Sequence, residues 1–522
     1  MENRIEYTKD RVMTGVICES SGEYSLPDYN GDIKKILHVG TSVIPSGKFL
    51  DGDSVEFSGI ISYDVVYLDG ENNVTHLGFT TDYEMAVRCS GDRFMEADID
   101  TSIDNYNLRP VGPRKLSAKA VLSSTAHIME REELIYEGDT FTEGEPEVLT
   151  EEARVRTCFF DRSGEREWAE ELEHLEGVIA DEVEILFTGC DVKIDEREIS
   201  QSGGSHCGEL TVFSLVKCGS EAPYRIEKTI PFKDSFFTSG ELPEPFNAGE
   251  SFVLSDVTVT SLGASVNAEE DGSSIAVSVI TEGKMRVSTN TPVMLVRDCY
   301  LTECKTENEK EELVYSELVG AVARTEKFVS ELDRAAAGAQ EVRNFILASA
   351  RARVNSTEVM ENSLKIGGEL RFSGIACEVS ETGEVSYSNM KIDVPFEQKV
   401  NVGCHIPKGA RAECDVSATS AALSVEGDSL VASAVLDIAA SVVSDKRASY
   451  VCTSLKCEER YESDPVLLTV YYPEPDETLF DIAKKFHKSQ ISVAATNSIT
   501  ENVFADKTSP LTSLGVKKVI IK

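Results

Sequence analysis

The sequence predicts a multidomain, mainly β protein in which three tandem β-rich repeats with short helices precede a C-terminal module of a different kind. A motif of about a dozen residues begins at positions 32, 182 and 341. Each copy leads into a run of alternating apolar and polar residues, which is the period-2 pattern of a half-buried strand. The last fifty or so residues show a strand–helix–helix–strand pattern instead. Because arrays of one repeated unit usually bind or scaffold, the repetition favours binding over catalysis.

The repeated motif starts with an acidic residue and continues with branched or aromatic residues. Residues 32–37 read Asp-Ile-Lys-Lys-Ile-Leu, residues 182–187 read Glu-Val-Glu-Ile-Leu-Phe, and residues 341–346 read Glu-Val-Arg-Asn-Phe-Ile. The copies are about 150 and about 160 residues apart. This spacing divides most of the chain into three units of domain size.

A glycine-bounded strand run follows each motif, and we place these runs at residues 51–60, 207–215 and 367–375. Further on, Pro231 and Pro395 lie between a branched residue and a phenylalanine, where the first copy has Thr81, Asp82 and Tyr83. Because proline cannot donate to a β-ladder, this step predicts an edge strand or a strand start. Two more alternating runs close the later copies, at 257–260 with 275–279 and at 414–418 with 430–435.

Acidic stretches between the repeats show helical spacing. Trp168, Leu172, Leu175 and Val178 are four, three and three residues apart, which places them on one face of a helix. We expect Trp168 to pack in a core. A second helix is predicted before the third copy from Val322, Phe328, Val329 and Leu332.

These patterns divide the chain into four predicted domains. Repeat 1 covers residues 1–130, and repeat 2 with its helical lead-in covers 131–290. Repeat 3 with its helical lead-in covers 291–460, and the C-terminal module covers 466–522.

The charge balance excludes two classes of partner. The formal net charge is -40, from 91 acidic and 51 basic residues, and nucleic acids and anionic membranes both need a basic surface. The acidic surface is either simply solvated or recognises a basic or metal-bearing partner. The sequence starts without an apolar signal region, and no run is long enough to span a bilayer. We therefore expect a cytoplasmic protein without membrane insertion.

The cysteines favour buried thiols over a metal site. Thirteen cysteines occur without a Cys-x-x-Cys spacing, and in a reducing cytosol such thiols mostly act as small hydrophobes. Cys299 with Cys304 and Cys452 with Cys457 are the two close pairs, but a zinc site needs four convergent ligands. We predict no metal and no cofactor, and oxidative crosslinks between chains remain open.

No catalytic signature is present in the sequence. The seven histidines are scattered, and no HExxH, Walker A, GxGxxG or GxSxG motif occurs. In the adjacent pairs His206-Cys207 and Cys404-His405, strand neighbours would point to opposite faces. We therefore predict that the protein is not an enzyme.

The C-terminal module is predicted to be a βααβ unit. Residues 468–472 read as a strand, and Thr478 can cap a helix over residues 479–487 with Asp481 completing a capping box. A second helix fits residues 490–496, and a closing strand fits 516–521.

This module resembles a LysM domain. The matching residues are Asp476-Glu477-Thr478-Leu479, Ile482-Ala483, Asn497 and Gly515, although Asp476 replaces the usual first glycine. LysM domains typically bind N-acetylglucosamine chains in a groove between the loop after the first strand and the loop after the second helix. The resemblance implies partner or glycan contacts at six candidate residues: Pro475, Asp476, Thr478, Leu479, Asn497 and Ile499. An alternative role for Leu479 and Ile482 is in the core only.

The three upstream repeats resemble SPOCS domains, a family of spore-forming bacteria, through the motif, the Gly-Glu-Leu strand and the Val/Ile-Pro-Phe step. The order of three such repeats and one LysM-like module resembles that of spore coat morphogenetic proteins. The resemblance implies a scaffold in the mother-cell cytoplasm at the forespore surface, which binds the coat basement-layer ATPase through its LysM-like module. The alternative is a protein that binds peptidoglycan of the cortex or cell wall. A hydrolase within the array would need a pocket that only one copy holds.

Overall fold

The computed structural model describes residues 2–138, 146–219, 221–237, 250–380, 382–461, 468–499 and 509–522. The described chain is mainly β, as predicted. The first six strands are β1 (Glu2–Ser25), β2 (Ile33–Asp51), β3 (Ser54–Asp69), β4 (Val74–Arg88), β5 (Phe94–Gly112) and β6 (Lys115–Gly138). The next seven are β7 (Glu147–Arg162), β8 (Arg166–Glu176), β9 (Val183–Ser200), β10 (Gly203–Cys218), β11 (Tyr224–Phe236), β12 (Phe252–Ala268) and β13 (Gly272–Tyr300).

The remaining long strands belong to the last third of the chain. They are β14 (Cys304–Asp333), β15 (Val342–Val359), β16 (Ser363–Val379), β17 (Val385–Asn401), β18 (Arg411–Glu426) and β19 (Ser429–Arg460). The C-terminal elements are β20 (Thr469–Tyr471), α1 (Leu479–Lys485), α2 (Gln490–Thr496) and β21 (Val519–Ile521). Across the described ranges, no helix is both long and apolar enough to cross a membrane.

One strand order occurs three times along the chain. An antiparallel three-stranded meander forms from β2–β3–β4, again from β9–β10–β11, and again from β15–β16–β17. A β-hairpin follows each meander. The second strand of this hairpin lies between the first hairpin strand and a strand that precedes the meander, and it pairs with both. These central strands are β6, β13 and β19. A short parallel pairing between β19 and β6 joins the first and third sets into one sheet of six strands.

The predicted strand runs are confirmed, with one shift of register. Each motif copy leads into the first strand of a meander. The runs at 207–215 and 367–375 lie in the middle strands, whereas the run at 51–60 starts at the end of β2 and enters β3 only at Ser54. In the first copy, however, Gly59 occupies the position of Gly208 and Gly368, because these three glycines pair with Tyr83, Phe232 and Phe396. The runs at 207 and 367 each begin one residue before this glycine, so the equivalent run begins at residue 58 and not at residue 51.

The proline step lies where the missing N–H donor predicts it. Pro231 is in β11 and Pro395 is in β17, and both strands form the outer edge of their meanders. The residue at this register in the first meander is Asp82, which pairs with Ile60 beside the Gly59–Tyr83 pair. The edge-strand interpretation is thus confirmed.

The predicted helical lead-ins are wrong, since both segments are strands. β8 contains Trp168, Leu172 and Leu175 and pairs with β13, and its register shifts beside Leu172. A bulge inserts one extra residue into a strand, so Trp168 and Leu175 face the same side although seven residues separate them. The spacing of four and three residues between the apolar side chains of this bulged strand is therefore the same as on one face of a helix. Trp168 still packs against an apolar core, as expected.

The second predicted helix lies within β14, which pairs with β19 along almost its whole length. Val322, Phe328 and Leu332 are separated by even numbers of residues and pack on one core face, whereas Val329 points away and is 52% exposed. Continuous strand pairing overrides the weak helix propensity of this segment. The described residues before the C-terminal module contain no α-helix, and 3₁₀ structure occurs there at Ala180–Glu182 and at Glu250. The predicted boundaries at residues 130 and 290 fall inside β6 and β13.

The motif residues bring the three meanders together. Leu37, Leu186 and Ile346, from the three motif copies, belong to one core cluster and are at most 9% exposed. The ring of Phe187 packs edge-on against His38, with their centroids 5.3 Å apart. The meanders therefore converge on their first strands.

Candidate functional site

The C-terminal module has the predicted order of elements. β20 and β21 pair antiparallel, and α1 and α2 lie between them in sequence. The predicted capping box is confirmed, because Thr478 Oγ1 accepts the Asp481 N–H at 3.2 Å and Asp481 Oδ2 accepts the Thr478 N–H at 3.0 Å. Thr478 is therefore occupied in starting α1.

Leu479 lies in the core of the module and not in an open groove. Its side chain is 2% exposed and packs in one cluster with Phe480 and Ile482. Leu479 and Ile482 therefore have the alternative role, which is packing in the core only, since a partner cannot reach either side chain without unfolding α1. The prediction of Leu479 as a contact residue is thus corrected.

Asn497 holds the end of α2 to β21. Its Nδ2 donates to the carbonyl oxygens of Val493 and Ile520, both at 2.8 Å. Its Oδ1 accepts the Ile520 N–H at 2.6 Å. The amide side chain has thereby used both donors and one acceptor, so its role in the structure is to join a helix to a strand.

The remaining candidates lie on two loops that contact each other. Pro475 and Asp476 are exposed on the loop after β20, and the Pro475 carbonyl accepts the Thr512 hydroxyl at 3.0 Å. Ile499 is half-buried against the module core. The two loops that the LysM resemblance assigns to the groove therefore meet at this contact. Residues 500–508, which the LysM resemblance assigns to the same groove, lie outside the described residues.

An exposed apolar stripe beside the groove was missed in the sequence analysis. Leu468, Val470 and Tyr472 are 50%, 46% and 69% exposed, and they alternate along the chain at β20. Within the described residues, β20 pairs with β21 alone. The period-2 spacing of these three residues was visible in the sequence, but it could not show which side of the strand faces solvent.

A cluster of charged and polar side chains connects the loop after β20 to α1. Glu477 accepts the Tyr471 hydroxyl at 2.8 Å, and Lys485 Nζ lies 3.1 Å from Glu477 Oε1. Burial opposes ionisation of Glu477, but hydrogen bonds from the Glu474 N–H, Tyr471 and Lys485 lower its pKa overall. Hydrogen bonds to Tyr471 and Glu477 raise the pKa of Lys485 to about 12. Both side chains are therefore charged at neutral pH, and they tie the groove loop to α1.

The module is docked on the rest of the chain through its helices. The Tyr300 hydroxyl donates to the Lys488 carbonyl at 2.8 Å, and the Tyr300 ring packs edge-on against Phe480 with centroids 5.2 Å apart. Lys484 Nζ lies 2.6 Å from Asp298 Oδ2, and Gln490 Nε2 donates to Glu147 at 2.8 Å. These contacts come from α1, the following turn and α2, so the exposed groove residues Pro475 and Asp476 stay accessible.

Two groups of side chains have the composition of metal ligands, but neither fits a metal ion. Asp10, His127 and Cys158 are buried together, yet Arg156 Nε lies 3.3 Å from Asp10 Oδ2. Burial raises the pKa of the Cys158 thiol, so the thiolate that a metal requires is disfavoured. The second group surrounds the exposed His174, whose two ring nitrogens face different carboxylates at 3.3 and 3.5 Å. Ion pairing accounts for both groups.

The adjacent histidine–cysteine pair has the predicted geometry. His206 is 1% exposed and its Nε2 lies 3.0 Å from Asp234 Oδ2, whereas Cys207 Sγ faces Glu196 on the next strand. Imidazole and thiol thus point apart. Among all thirteen cysteines, five are buried and eight are half-buried, so fewer are fully buried than expected. Cys299 and Cys304 belong to the buried group.

Comparison with known proteins identifies one domain. Residues 32–111 match the family model described as the SPOCS domain of SipL. This segment covers the first meander and β5 almost completely. No curated protein and no solved structure matches the chain. The SPOCS domain suggests a sporulation-related coat protein.

Proposed function

We propose that this protein is a non-enzymatic scaffold in spore coat morphogenesis. In this proposal the chain carries three SPOCS-like repeats, and its LysM-like module binds the ATPase of the coat basement layer. The protein acts in the mother-cell cytoplasm at the forespore surface. The SPOCS match at residues 32–111 supports the process, and the repeated strand order supports the extension of that match to the two later repeats.

The exposed apolar stripe on the module carries the proposal of a protein partner. Leu468, Val470 and Tyr472 are each at least 46% exposed and alternate at β20, which pairs with β21 alone in the part of the chain that the structure describes. Exposed aromatic and aliphatic residues of this kind are typical of interface cores, and an unpaired strand edge can accept a partner strand. The docking of α1 and α2 on the body leaves this side of the module free.

The distribution of charge also supports a separate binding role for the module. Residues 466–522 contain seven lysines and six carboxylates, although the whole chain has a net charge of -40. The module is therefore almost neutral, and the repeats hold the negative charge. A nearly neutral surface can approach a protein partner without the repulsion that the repeats would exert on an acidic one.

Peptidoglycan binding is the second candidate function. The two loops that the LysM resemblance assigns to a glycan groove are in contact at Pro475 and Thr512, and Tyr472 is 69% exposed just before the first loop. An exposed aromatic ring can stack on a sugar face. Because Leu479 is buried and Asn497 is hydrogen-bonded within the module, fewer side chains are left to bind a glycan.

Capture by the full-length protein distinguishes the two functions. We expect immobilised wild-type protein to retain the basement-layer ATPase. In a separate pull-down, the protein should stay in solution and not bind to insoluble peptidoglycan. Tyr472→Ala should reduce ATPase capture at least severalfold. Tyr29→Ala is the matched control, because Tyr29 is 88% exposed and lies far away in sequence between β1 and β2. Equal ATPase capture by both variants and wild type would remove the stripe from the interface, and capture by peptidoglycan alone would favour the second function.

A further inference from the structure

A cavity of about 1710 Å³ lies where the three meanders meet. Its walls include parts of the first meander strands β2, β9 and β15 and of the hairpin strands β5, β12 and β18. Equivalent strands of all three sets therefore contribute to one space. Its volume exceeds the range of about 300–1,000 Å³ that is usual for small-molecule sites.

Equivalent positions in the wall carry different chemistry. One position recurs in the three first strands, because its residue pairs with the residue three places after the strand glycine Gly59, Gly208 or Gly368. This position holds Ser42, Asp191 and Arg351, and all three line the cavity. Each faces a residue on its middle strand, and these partners are Ser62, Thr211 and Arg371. The third meander thus places two guanidinium groups directly opposite each other. Like charges at such positions destabilise a sheet unless an anion compensates them.

One carboxylate compensates only one member of this pair. Arg371 Nε donates to Asp393 Oδ1 at 2.8 Å, and its Nη2 lies 3.4 Å from Asp393 Oδ2. Arg351 donates instead to the Thr41 hydroxyl at 2.7 Å, and its guanidinium carbon lies 5.3 Å from the centre of the Tyr106 ring. Across the described ranges, no carboxylate oxygen forms an ion pair within 4.0 Å of Arg351. The direct contacts of its guanidinium are thus the Thr41 hydroxyl and the Tyr106 ring, and Asp104 adds an electrostatic attraction without a close ion pair.

The positive charge of the lining is confined to the third meander, which carries Arg351, Arg353, Arg371 and Lys391 against Glu369 and Asp393. The rest of the wall holds four carboxylates, from Asp64, Asp104, Asp191 and Asp415. Lys391 lines the same cavity two residues from Asp393, and burial together with Lys391 lowers the pKa of His38 to about 4. Burial, with a contribution from Arg371, also lowers the pKa of Arg351, although a guanidinium stays protonated at neutral pH. In a chain with a net charge of -40, the presence of Arg351 and Lys391 on this wall requires an explanation, since neither forms an ion pair within 4.0 Å in the described part of the chain.

We propose that this cavity is a binding site for a small phosphate-bearing anion. Arg351 is the main ligand, Arg371 and Lys391 add charge from the same wall, and the Thr41 hydroxyl completes the donor set. A guanidinium matches two phosphate oxygens with parallel N–H donors. The anion joins the first meander to the third, because Thr41 and Arg351 belong to different meanders.

Isothermal titration calorimetry of the full-length protein with inorganic phosphate tests this site, with chloride at equal ionic strength as the reference. A parallel titration with glucose 6-phosphate distinguishes free phosphate from a phosphate ester. We expect saturable binding of one of these probes. Arg351→Gln should weaken it at least tenfold, because glutamine keeps a donor for Thr41 but removes the charge.

Arg447→Gln is the matched control, since Arg447 is 73% exposed and pairs only loosely with Glu312 at 3.7 Å. It should bind like wild type. Lys391→Gln offers a second variant on the exposed side of the wall, with an expected weakening of severalfold. Absence of saturable binding by either probe, or equal affinity in Arg351→Gln and wild type, would overturn the proposal.

Discussion

Gly368 on β16 lies directly opposite Phe396 on β17, and the aromatic ring occupies the space that a side chain at position 368 would need. A Cβ there would approach Phe396 Cε1 to 2.6 Å and would also meet the Arg353 carbonyl oxygen. The same glycine–aromatic pairing joins Gly208 to Phe232 and Gly59 to Tyr83. An aromatic ring that covers a strand glycine also pins the register of the pair.

Gly368→Ala should therefore destabilise the protein. The backbone oxygen cannot move aside without breaking the β15–β16 ladder, so we expect a loss of about 1–3 kcal/mol, the usual cost of overpacking. Urea unfolding followed by fluorescence or circular dichroism measures this loss. Gly263→Ala is the control, because a Cβ at that position meets nothing within 4 Å and its cost should stay within about 0.5 kcal/mol. Similar midpoints for the two variants would contradict the packing argument.

Tyr300→Phe should loosen the C-terminal module from the body. The substitution keeps the ring contact with Phe480 but removes the hydrogen bond to the Lys488 carbonyl. We expect a cost of about 1 kcal/mol, typical of one hydrogen bond. Hydrogen exchange of residues 479–496, measured by mass spectrometry, should then become faster than in wild type. Unchanged exchange would mean that the other docking contacts hold the module without this bond.

Asn497→Ala should destabilise the module more than a surface substitution does. It leaves the Ile520 N–H and the two carbonyls without the amide partner, and each unsatisfied buried group costs about 1–3 kcal/mol. Faster hydrogen exchange of β20 and β21 is the expected readout. Ser492→Ala on the exposed side of α2 is the control and should exchange like wild type. If Asn497→Ala exchanged like this control, the structural role assigned to Asn497 would be wrong.

His38 should make stability depend on pH between about 4 and 6.5. Burial, with a contribution from Lys391, lowers its pKa to about 4 in the folded protein, whereas an unfolded histidine titrates near 6.5. In this window the unfolded chain binds the additional proton, so this contribution to stability is complete above about pH 6.5 and is lost as the pH falls towards 4. The shift corresponds to about 3 kcal/mol at most.

The test compares wild type with His38→Gln by urea unfolding at pH 7 and pH 5. The variant should lose less stability than wild type between these two values, since glutamine does not titrate. His405→Gln, at an exposed site, should retain the wild-type difference. A His38→Gln protein with the full wild-type pH dependence would assign that dependence to other groups.

Local patterns were sufficient for much of the fold. Period-2 runs at residues 207–215 and 367–375 predicted strands, proline predicted the edges, and Thr478 with Asp481 predicted the start of α1. The first lead-in helix was wrong because a bulge near Leu172 gives a strand the apolar spacing of a helix, and the second was wrong because β14 pairs with β19 along almost its whole length. The assignment of Leu479 was wrong because its neighbours in space, which bury it, come from elements distant in sequence.

The sequence by itself determined the mainly β class, the threefold recurrence of one motif and the order of elements in the C-terminal module, because these depend on side-chain periodicity and local capping. Only the tertiary structure decided what these elements contact. It placed Leu37, Leu186 and Ile346 in one core, paired Arg351 with Arg371 on the wall of a cavity, and docked α1 against Tyr300. Such contacts join residues that are tens to hundreds of positions apart, and the energy of packing and charge pairing between them has no signature in any local stretch of the chain.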